Sequence, residues 1–228
     1  PGRWANTFGT STSNEMGNDV VLAPDGDYVM AGTTDSGTAG GTDGWITRVT
    51  PTAKTKWSKK FGGKNNESVQ GLVALPGGGY IFVGSKAIST TTTKLWVMRL
   101  DDTGAKKDEA EHTYSVNVES SGFAVTLGPG GDPLITGYTR ATSGQRETMY
   151  ALRLKASNLK TKVWDQDIGG ASATRGARGS AVVVVNNTMV IAGSLAEKAG
   201  LGATTDGWIV GRDLVKGGHV HSAPLGTA

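Results

Sequence analysis

The stretch that decides the fold is residues 17–32, which read GNDVVLAPDGDYVMAG. Two apolar runs flank a turn of Pro, Asp and Gly, and a glycine closes the second run, which is the pattern of a β-hairpin. The pattern returns at residues 70–84, 122–137 and 179–193 as QGLVALPGGGYIFVG, GFAVTLGPGGDPLITG and GSAVVVVNNTMVIAG. The closing glycines are Gly32, Gly84, Gly137 and Gly193, which lie 52, 53 and 56 residues apart. Regular self-similarity of this kind indicates a repeat protein with four hairpin-bearing units.

Each hairpin is followed by a third predicted strand and then by a fourth. The third strand begins with an aromatic residue, and its copies are residues 45–49, 96–100, 150–154 and 208–212. The fourth has an aromatic residue, three further residues, an apolar residue and usually glycine. Its clear copies are residues 57–62 and 164–169, residues 114–118 are weaker, residues 221–226 are doubtful, and residues 4–9 carry one more at the N-terminus. The polar segment 101–112 predicts a long connection between strands.

Four strands per repeat, glycine-rich turns and no helical periodicity predict an all-β fold, a β-propeller of four-stranded antiparallel blades. We expect a single domain over residues 1–228, in which residues 1–9 supply a strand that closes a four-bladed ring. The repeats are predicted at about 14–63, 66–119, 120–170 and 175–226. Five blades, or part of a larger ring, stay open as alternatives if both terminal strands are real. The six tryptophans are expected to form the core between blades, because aromatic side chains bury large apolar areas.

Three motifs follow one another in the first repeat. They are DGDYVMAG at 25–32, TDGWITRV at 42–49 and WSKKFGG at 57–63. This succession resembles a family of bacterial propeller repeats that is common in exported and surface-anchored proteins. The resemblance implies the fold and carries over no catalytic residue. The chain as a whole is also similar to the C-terminal propeller domain of a protein of magnetotactic bacteria, which implies a part in magnetotaxis signalling.

Composition excludes several function classes. The 228 residues include no cysteine, so disulfides, thiolate zinc sites and thiol nucleophiles are absent. A net charge of +3 without blocks of like charge predicts no nucleic-acid partner. The longest apolar run, residues 181–185, is too short to span a bilayer, so no membrane insertion is expected. No nucleophile, metal-ligand or phosphate-loop motif occurs, so we predict no catalytic residues, no metal and no cofactor. An enzyme whose site residues converge only in space stays the third reading.

The third predicted strand carries a recurrent arginine. Its copies are Arg48, Arg99, Arg153 and Arg212, three residues after the aromatic in three repeats and four after it in the last. One reading is that the stem packs against the neighbouring repeat while the head reaches solvent or a carboxylate. The other is that four cations bind an anion together.

A modest excess of positive charge lies in the loops of the second to fourth repeats. The candidate binding residues there are Lys86, Lys94, Arg140, Arg146, Arg175 and Arg178. Such a patch suits an acidic protein surface or a polyanionic glycan. We therefore predict a noncatalytic binding or scaffolding module that mediates protein–protein interaction, with a carbohydrate-binding, lectin-like propeller as the alternative. The resemblance and the absence of cysteine favour an extracytoplasmic bacterial setting.

Overall fold

The structure is a computed structural model, and it describes residues 5–36, 40–113, 119–141, 146–169, 176–196 and 205–224. Sixteen strands and one 3-10 turn make up its regular structure. The strands are β1 (Glu15–Leu22), β2 (Tyr28–Thr34), β3 (Asp43–Val49), β4 (Thr55–Phe61), β5 (Glu67–Ala74), β6 (Tyr80–Ala87), β7 (Thr93–Leu100), β8 (Lys106–His112), β9 (Glu119–Leu127), β10 (Pro133–Arg140), β11 (Thr148–Lys155), β12 (Asn158–Ile168), β13 (Gly176–Val185), β14 (Thr188–Ala196), β15 (Thr205–Asp213) and β16 (His219–Pro224), and the 3-10 turn is Pro129–Gly131. The part of the chain covered by the structure contains no apolar helix of bilayer-spanning length.

The strands pair in chain order, in four sets of four that we call set I (β1–β4), set II (β5–β8), set III (β9–β12) and set IV (β13–β16). Within each set, successive strands are antiparallel neighbours. Sets I and IV are separate four-stranded sheets. Sets II and III are joined into one eight-stranded sheet, because Thr93 of β7 and Glu119 of β9 form a parallel bridge.

The protein is all-β, but the prediction of a propeller with four four-stranded blades is wrong. The strands form sheets of four, eight and four strands, and no strand pairing closes a ring among the residues described. The N-terminal closing strand is also wrong, because residues 5–9 form no strand and residues 1–4 lie outside the described residues. Set IV instead takes its fourth strand from His219–Pro224. The alternatives of five blades or part of a larger ring are wrong for the same reason. The spacing of the repeats predicts how strands pair inside one set, but it does not show how the sets join.

The fourth strand of set II is also displaced from its predicted place. The segment 101–112, expected to be a connection, contains β8, while residues 114–118 lie outside the described residues. Polar side chains dominate β8 because it is the outer strand of its set and pairs with β7 alone. His112 is nevertheless buried at its end, and its Nε2 lies 2.9 Å from the carbonyl oxygen of Leu159 in set III.

The sets stack in chain order through the two faces of each sheet. We call the face toward the next set the leading face and the opposite one the trailing face. Alternate residues of a strand point to opposite faces, so β2 places Val29 and Ala31 on the leading face of set I. They pack against the trailing face of set II, where Tyr80 and Phe82 lie. Two further apolar layers join sets II and III and sets III and IV.

The third-strand arginines tie neighbouring sets together in three of their four copies. Arg48 donates to the carbonyl oxygen of Asp102 at 3.1 Å, and Arg99 donates to that of Ala156 at 2.6 Å. Arg153 donates to the carbonyl oxygen of Leu214 at 2.6 Å. Each bond therefore runs from one set to the turn before the fourth strand of the next. This agrees with the reading in which the stem packs against the neighbouring repeat.

Arg212 does not belong to this series. Residues paired across antiparallel strands share a face, and Arg48, Arg99 and Arg153 pair with Val29, Ile81 and Leu134 on leading faces. In set IV the equivalent of Val29 is Val190, which pairs with Gly211. Arg212 pairs with Met189 and so lies on the trailing face, where it is buried. The spacing of four residues after the aromatic, instead of three, is the sequence sign of this reversal.

Each closing glycine lies opposite a β-bulge in the first strand of its set. In set II the pairing moves from Val69–Gly84 directly to Gly71–Val83, which leaves Gln70 as the extra residue. The carbonyl of Ser68 then points at Gly84 so closely that a Cβ there would lie 1.9 Å from the oxygen. Gly32, Gly137 and Gly193 face carbonyl oxygens at 1.8, 1.9 and 2.1 Å in the same way. The repeated glycine is required by close approach of the backbone.

Candidate functional site

Three of the predicted binding residues converge on one cleft between sets III and IV. The cleft has a volume of about 410 Å³. Its lining residues are Arg140, Arg146, Glu147, Gly176, Ala177, Arg178, Ser194, Ala196 and Thr205. The amide of Ala177 donates to the carbonyl oxygen of Glu147 at 2.8 Å, which fixes the start of β13 beside the start of β11. We call this surface the arginine cleft.

Arg178 is the most firmly oriented of the three arginines. Its Nε donates to Glu147 Oε2 at 2.8 Å, and its Nη2 donates to the other oxygen of the same carboxylate. This bidentate geometry is specific to a guanidinium. The carbon of the guanidinium also lies 4.7 Å from the ring centroid of Tyr138 and 5.1 Å from that of Phe123. The aromatic rings lie against the guanidinium and the carboxylate binds one edge of it, so together they fix its orientation.

Arg140 lies beside Arg178 and shares its counter-ion. Its Nη2 lies 3.0 Å from a carboxylate oxygen of Glu119 and 3.4 Å from one of Glu147. Its Nε is buried and has no hydrogen-bond partner among the described residues. Arg146 precedes β11 and lines the same cleft next to Gly176. Three arginines and one glutamate line the cleft, so its wall carries an excess of positive charge.

The electrostatics of the cleft extend to the aromatic residue beneath it. Burial raises the pKa of Tyr138 to about 12, and the neighbouring charge of Glu119 acts in the same direction. The Tyr138 hydroxyl donates to Glu119 Oε1 at 3.1 Å. The carboxylate of Glu147 raises the pKa of Arg178 through its hydrogen bonds. Arg178 is therefore charged at any physiological pH, and Tyr138 remains a neutral donor.

The remaining predicted residues lie elsewhere. Lys86 and Lys94 are in β6 and β7, and both are close to Glu111, at 2.9 and 3.6 Å. Lys86 also lies 3.4 Å from Glu109, so carboxylates of β8 face both lysines. The groove that Lys86 lines is larger, about 600 Å³, and its four lysines lie beside three carboxylates, which offset all but one of the positive charges. Arg175 lies outside the described residues.

Sequence reasoning missed the carboxylates and the aromatic pair that organise the arginine cleft. Glu119 pairs with Arg140 across β9 and β10 of set III, whereas Glu147 and Arg178 are brought together only by the stacking of set IV on set III. Phe123 and Tyr138 lie on adjacent strands with ring centroids 5.5 Å apart. Phe123 is the extra residue of the set III bulge, a feature that no spacing rule reveals. The one sign of such pairing in the sequence was that a basic and an acidic residue, Arg146 and Glu147, follow each other directly.

A second polar feature is a buried pair of carboxyl groups where set I meets set II. Glu67 is 2% exposed and Asp43 is 9% exposed. Glu67 accepts the amide of Gly63 at 2.9 Å, and Oδ1 of Asp43 is buried with no hydrogen-bond partner among the described residues. Burial raises the pKa of both groups, and the charge of Asp43 raises that of Glu67 further. The positive charges that face them, Lys60 and Lys86, act in the opposite direction and are the weaker influence.

This pair is expected to make the protein less stable as the pH rises. Because both folded-state pKa values lie above their ordinary values, the folded chain holds more protons than the unfolded chain above pH about 4, and stability falls as these groups ionise. Glu67→Gln keeps the acceptor for Gly63 and removes one charge. We expect it to raise the free energy of unfolding at pH 7 by about 1 kcal/mol and to flatten the pH dependence.

Urea unfolding followed by tryptophan fluorescence between pH about 4 and about 8 measures this effect. Asp43→Asn is the matched variant, because neutralising either member removes the repulsion. If the unfolding free energies of Glu67→Gln and of the unmodified protein change in parallel across this pH range, the prediction is wrong.

Comparisons with known proteins give likenesses to solved structures only. No family model matches the chain, and no curated protein has a similar sequence. Among solved structures, the chain is similar to the crystal structure of the eukaryotic initiation factor, with a TM-score of 0.41 and 7% sequence identity. The likeness covers 91% of this chain and 55% of that chain, so the chain spans about half the length of the structure it matches.

Proposed function

We propose that this protein is a noncatalytic binding module and that the arginine cleft receives an acidic segment of a protein partner. The observation that carries the proposal is the convergence of Arg140, Arg146 and Arg178 on one cleft from two neighbouring sets. Guanidinium groups bind carboxylates with directional hydrogen bonds, and arginine is enriched at the energetic centres of protein interfaces. The strands of sets III and IV hold those groups in place.

The orientation of Arg178 supports recognition of a carboxylate. Glu147 occupies one edge of its guanidinium, and the rings of Tyr138 and Phe123 lie against it. A group fixed in this way loses little conformational entropy when a ligand binds to its remaining donors. The Nε of Arg140, buried and without a partner in the described part of the chain, is a further donor in the same place.

The glycan alternative needs aromatic side chains that stack on sugar rings. Trp96 and Trp164 are buried between sheets, Trp45 is buried against residues 6–10, and Trp57 and Trp208 are half-buried. The indole nitrogens of Trp45, Trp96 and Trp164 also have acceptors within the protein. These observations favour the protein partner over the sugar.

The test is binding of a fluorescein-labelled peptide rich in Asp and Glu, measured by anisotropy at low and high salt. We expect salt-sensitive binding, and we expect the double variant Arg146→Gln, Arg178→Gln to raise the Kd about tenfold. A peptide of equal length with Gln and Asn in place of the acids should not bind. Circular dichroism spectra of the variant must match those of the unmodified protein.

The control variant is the double substitution Lys54→Gln, Lys64→Gln, which removes the same charge at exposed positions of set I and its following loop. If it weakens binding as much as the arginine variant does, the interaction follows net charge and not the cleft. Absence of any salt-sensitive binding to the acidic peptide would also contradict the proposal.

The biological setting belongs to the same proposal. We place the module outside the bacterial cytoplasm and in signalling, with a link to magnetotaxis. The sequence resemblance supports this part, and the absence of cysteine supports the location.

A further inference from the structure

Among the residues that the structure describes, the two ends of the stack of sets expose large apolar side chains. At one end is the trailing face of set I, on which Val20 and Leu22 are 57% and 62% exposed. At the other end is the leading face of set IV, on which Val183 and Val185 are 51% and 50% exposed. Large apolar residues grouped on one sheet face are typical of a contact surface.

Strand register shows that these residues share faces. In set I, Val20 pairs with Met30 and Leu22 pairs with Tyr28, so all four side chains lie on the trailing face. The opposite face carries Val21, Val29, Ala31 and Ile46, which pack on set II.

Set IV shows the same division of its two faces. Val183 pairs with Val190, and Ala181 pairs with Ala192, which in turn pairs with Ile209. Their neighbours in sequence, Val182 and Val184, pack toward set III instead.

Both end faces are copies of faces that are covered inside the protein. Every internal contact joins the leading face of one set to the trailing face of the next, three times in succession. The uncovered leading face of set IV is equivalent to the leading faces of sets I, II and III, and the uncovered trailing face of set I is equivalent to those of sets II, III and IV. The two ends are therefore complementary to each other and not to themselves.

We infer that a second copy of this chain covers these faces head to tail, with the leading face of set IV in one copy packed on the trailing face of set I in the other. Continuity with the internal contacts is what selects this occupant, because a second copy supplies the complementary face. The contact is heterologous, since two different surfaces meet in it. It leaves the arginine cleft between sets III and IV of each copy.

Two features shape the contact. Gly211 stands where the other sets carry the arginine of the third strand, so set IV offers no guanidinium to the next turn, and the ring of His221 lies over Gly211 on this face instead. At the other end, residues 6–10 lie against Trp45 and Thr47 and line a cleft with them, so that part of the set I face is already covered. The exposed part is the one formed by β1 and the start of β2.

Sedimentation velocity of the full chain from about 1 µM to about 1 mM tests the inference. The unmodified protein should show an average mass that rises with concentration above that of one chain. Val183→Lys alters only the set IV face and Leu22→Lys only the set I face. Each variant alone should associate at least tenfold more weakly, because a lysine must be desolvated in an apolar contact.

An equimolar mixture of the two variants is the decisive sample. The Val183→Lys chain keeps an intact set I face and the Leu22→Lys chain keeps an intact set IV face, so the mixture should restore a species of two chains and nothing larger. Circular dichroism and thermal melting of both variants should match the unmodified protein, because the substituted positions are exposed.

Several outcomes would overturn the inference. An unmodified protein with the mass of one chain at every concentration would do so. So would association that survives either single substitution, or a mixture that stays at the mass of one chain. If only Val183→Lys prevents association, set IV faces pair with each other, and the head-to-tail arrangement is wrong.

Discussion

Replacing Trp96 by alanine is expected to lower the free energy of unfolding by about 4 kcal/mol. Trp96 is 1% exposed and belongs to the apolar layer between sets I and II. Its ring centroid lies 4.8 Å from that of Phe82 in an edge-to-face arrangement, and its ring lies against Gly44 of set I. Alanine would leave a cavity in a layer that holds two sheets together.

The indole nitrogen adds a polar contribution. Nε1 donates to Glu109 Oε1 at 2.8 Å, and the Nζ of Lys86 lies 5.9 Å from the centroid of the ring. Loss of the donor leaves a half-buried carboxylate with fewer partners. Trp96→Phe separates the two effects, because it keeps most of the apolar volume and removes the hydrogen bond, and we expect it to cost about 1–2 kcal/mol.

Chemical unfolding measured by far-UV circular dichroism gives both values, and thermal unfolding should show a loss of about 10 °C for the alanine variant. A loss below about 1.5 kcal/mol for Trp96→Ala would contradict the packing described for sets I and II. Equal losses for the alanine and phenylalanine variants would show that the hydrogen bond, and not the packing, dominates.

Replacing Gly84 by alanine is expected to lower the free energy of unfolding by about 3 kcal/mol, although it adds a single methyl group. The new Cβ would lie 1.9 Å from the carbonyl oxygen of Ser68 and 3.0 Å from the Cα of Val69. Both are backbone atoms, so no side-chain rotation relieves the overlap. The strand pair must open at the bulge, and the pairing of β5 with β6 must shift with it.

Gly77→Ala is the matched control for this variant. Gly77 lies in the turn between the same two strands, and a Cβ there would meet no atom within 4 Å. We expect a change within about 1 kcal/mol in either direction, because fewer unfolded conformations remain open to alanine. Urea denaturation of the two variants side by side measures the difference, and equal stabilities would contradict the steric origin of the repeated glycine.

The hairpins were predictable from sequence because their signals are local. The apolar alternation of residues 17–32, its turn residues and its closing glycine all act within one pair of strands, and β1 and β2 form there. The same holds for the third strands, whose aromatic residues mark Trp45, Trp96, Tyr150 and Trp208 in β3, β7, β11 and β15. Burial of Trp96 between sheets followed from its size and the scarcity of other large apolar residues, whereas Trp45 is buried on the trailing face of set I, against residues 6–10.

The joining of units was not predictable by the same means. The bridge between Thr93 and Glu119 consists of backbone groups, which every residue has, so no side-chain pattern announces it. β8 was missed because an outer strand tolerates the charged run around Lys106 and Glu111, which reads as a loop. In the arginine cleft, the basic residues were visible but the pairing of Arg178 with Glu147 was not, since these two residues meet only where set IV packs on set III.

The bonds that the third-strand arginines make between sets all point the same way along the chain. Arg48, Arg99 and Arg153 each hold the following set, whereas set IV carries Gly211 at that place and holds nothing further. The stability of such a linear array is approximately a sum over its sets and over the joints, which are the contacts between neighbouring sets. Sets II and III each share two joints and sets I and IV only one, so a thermal fluctuation opens the array from its ends inward. Cooperative unfolding of the whole chain therefore depends on the three joints more than on the strength of any single sheet.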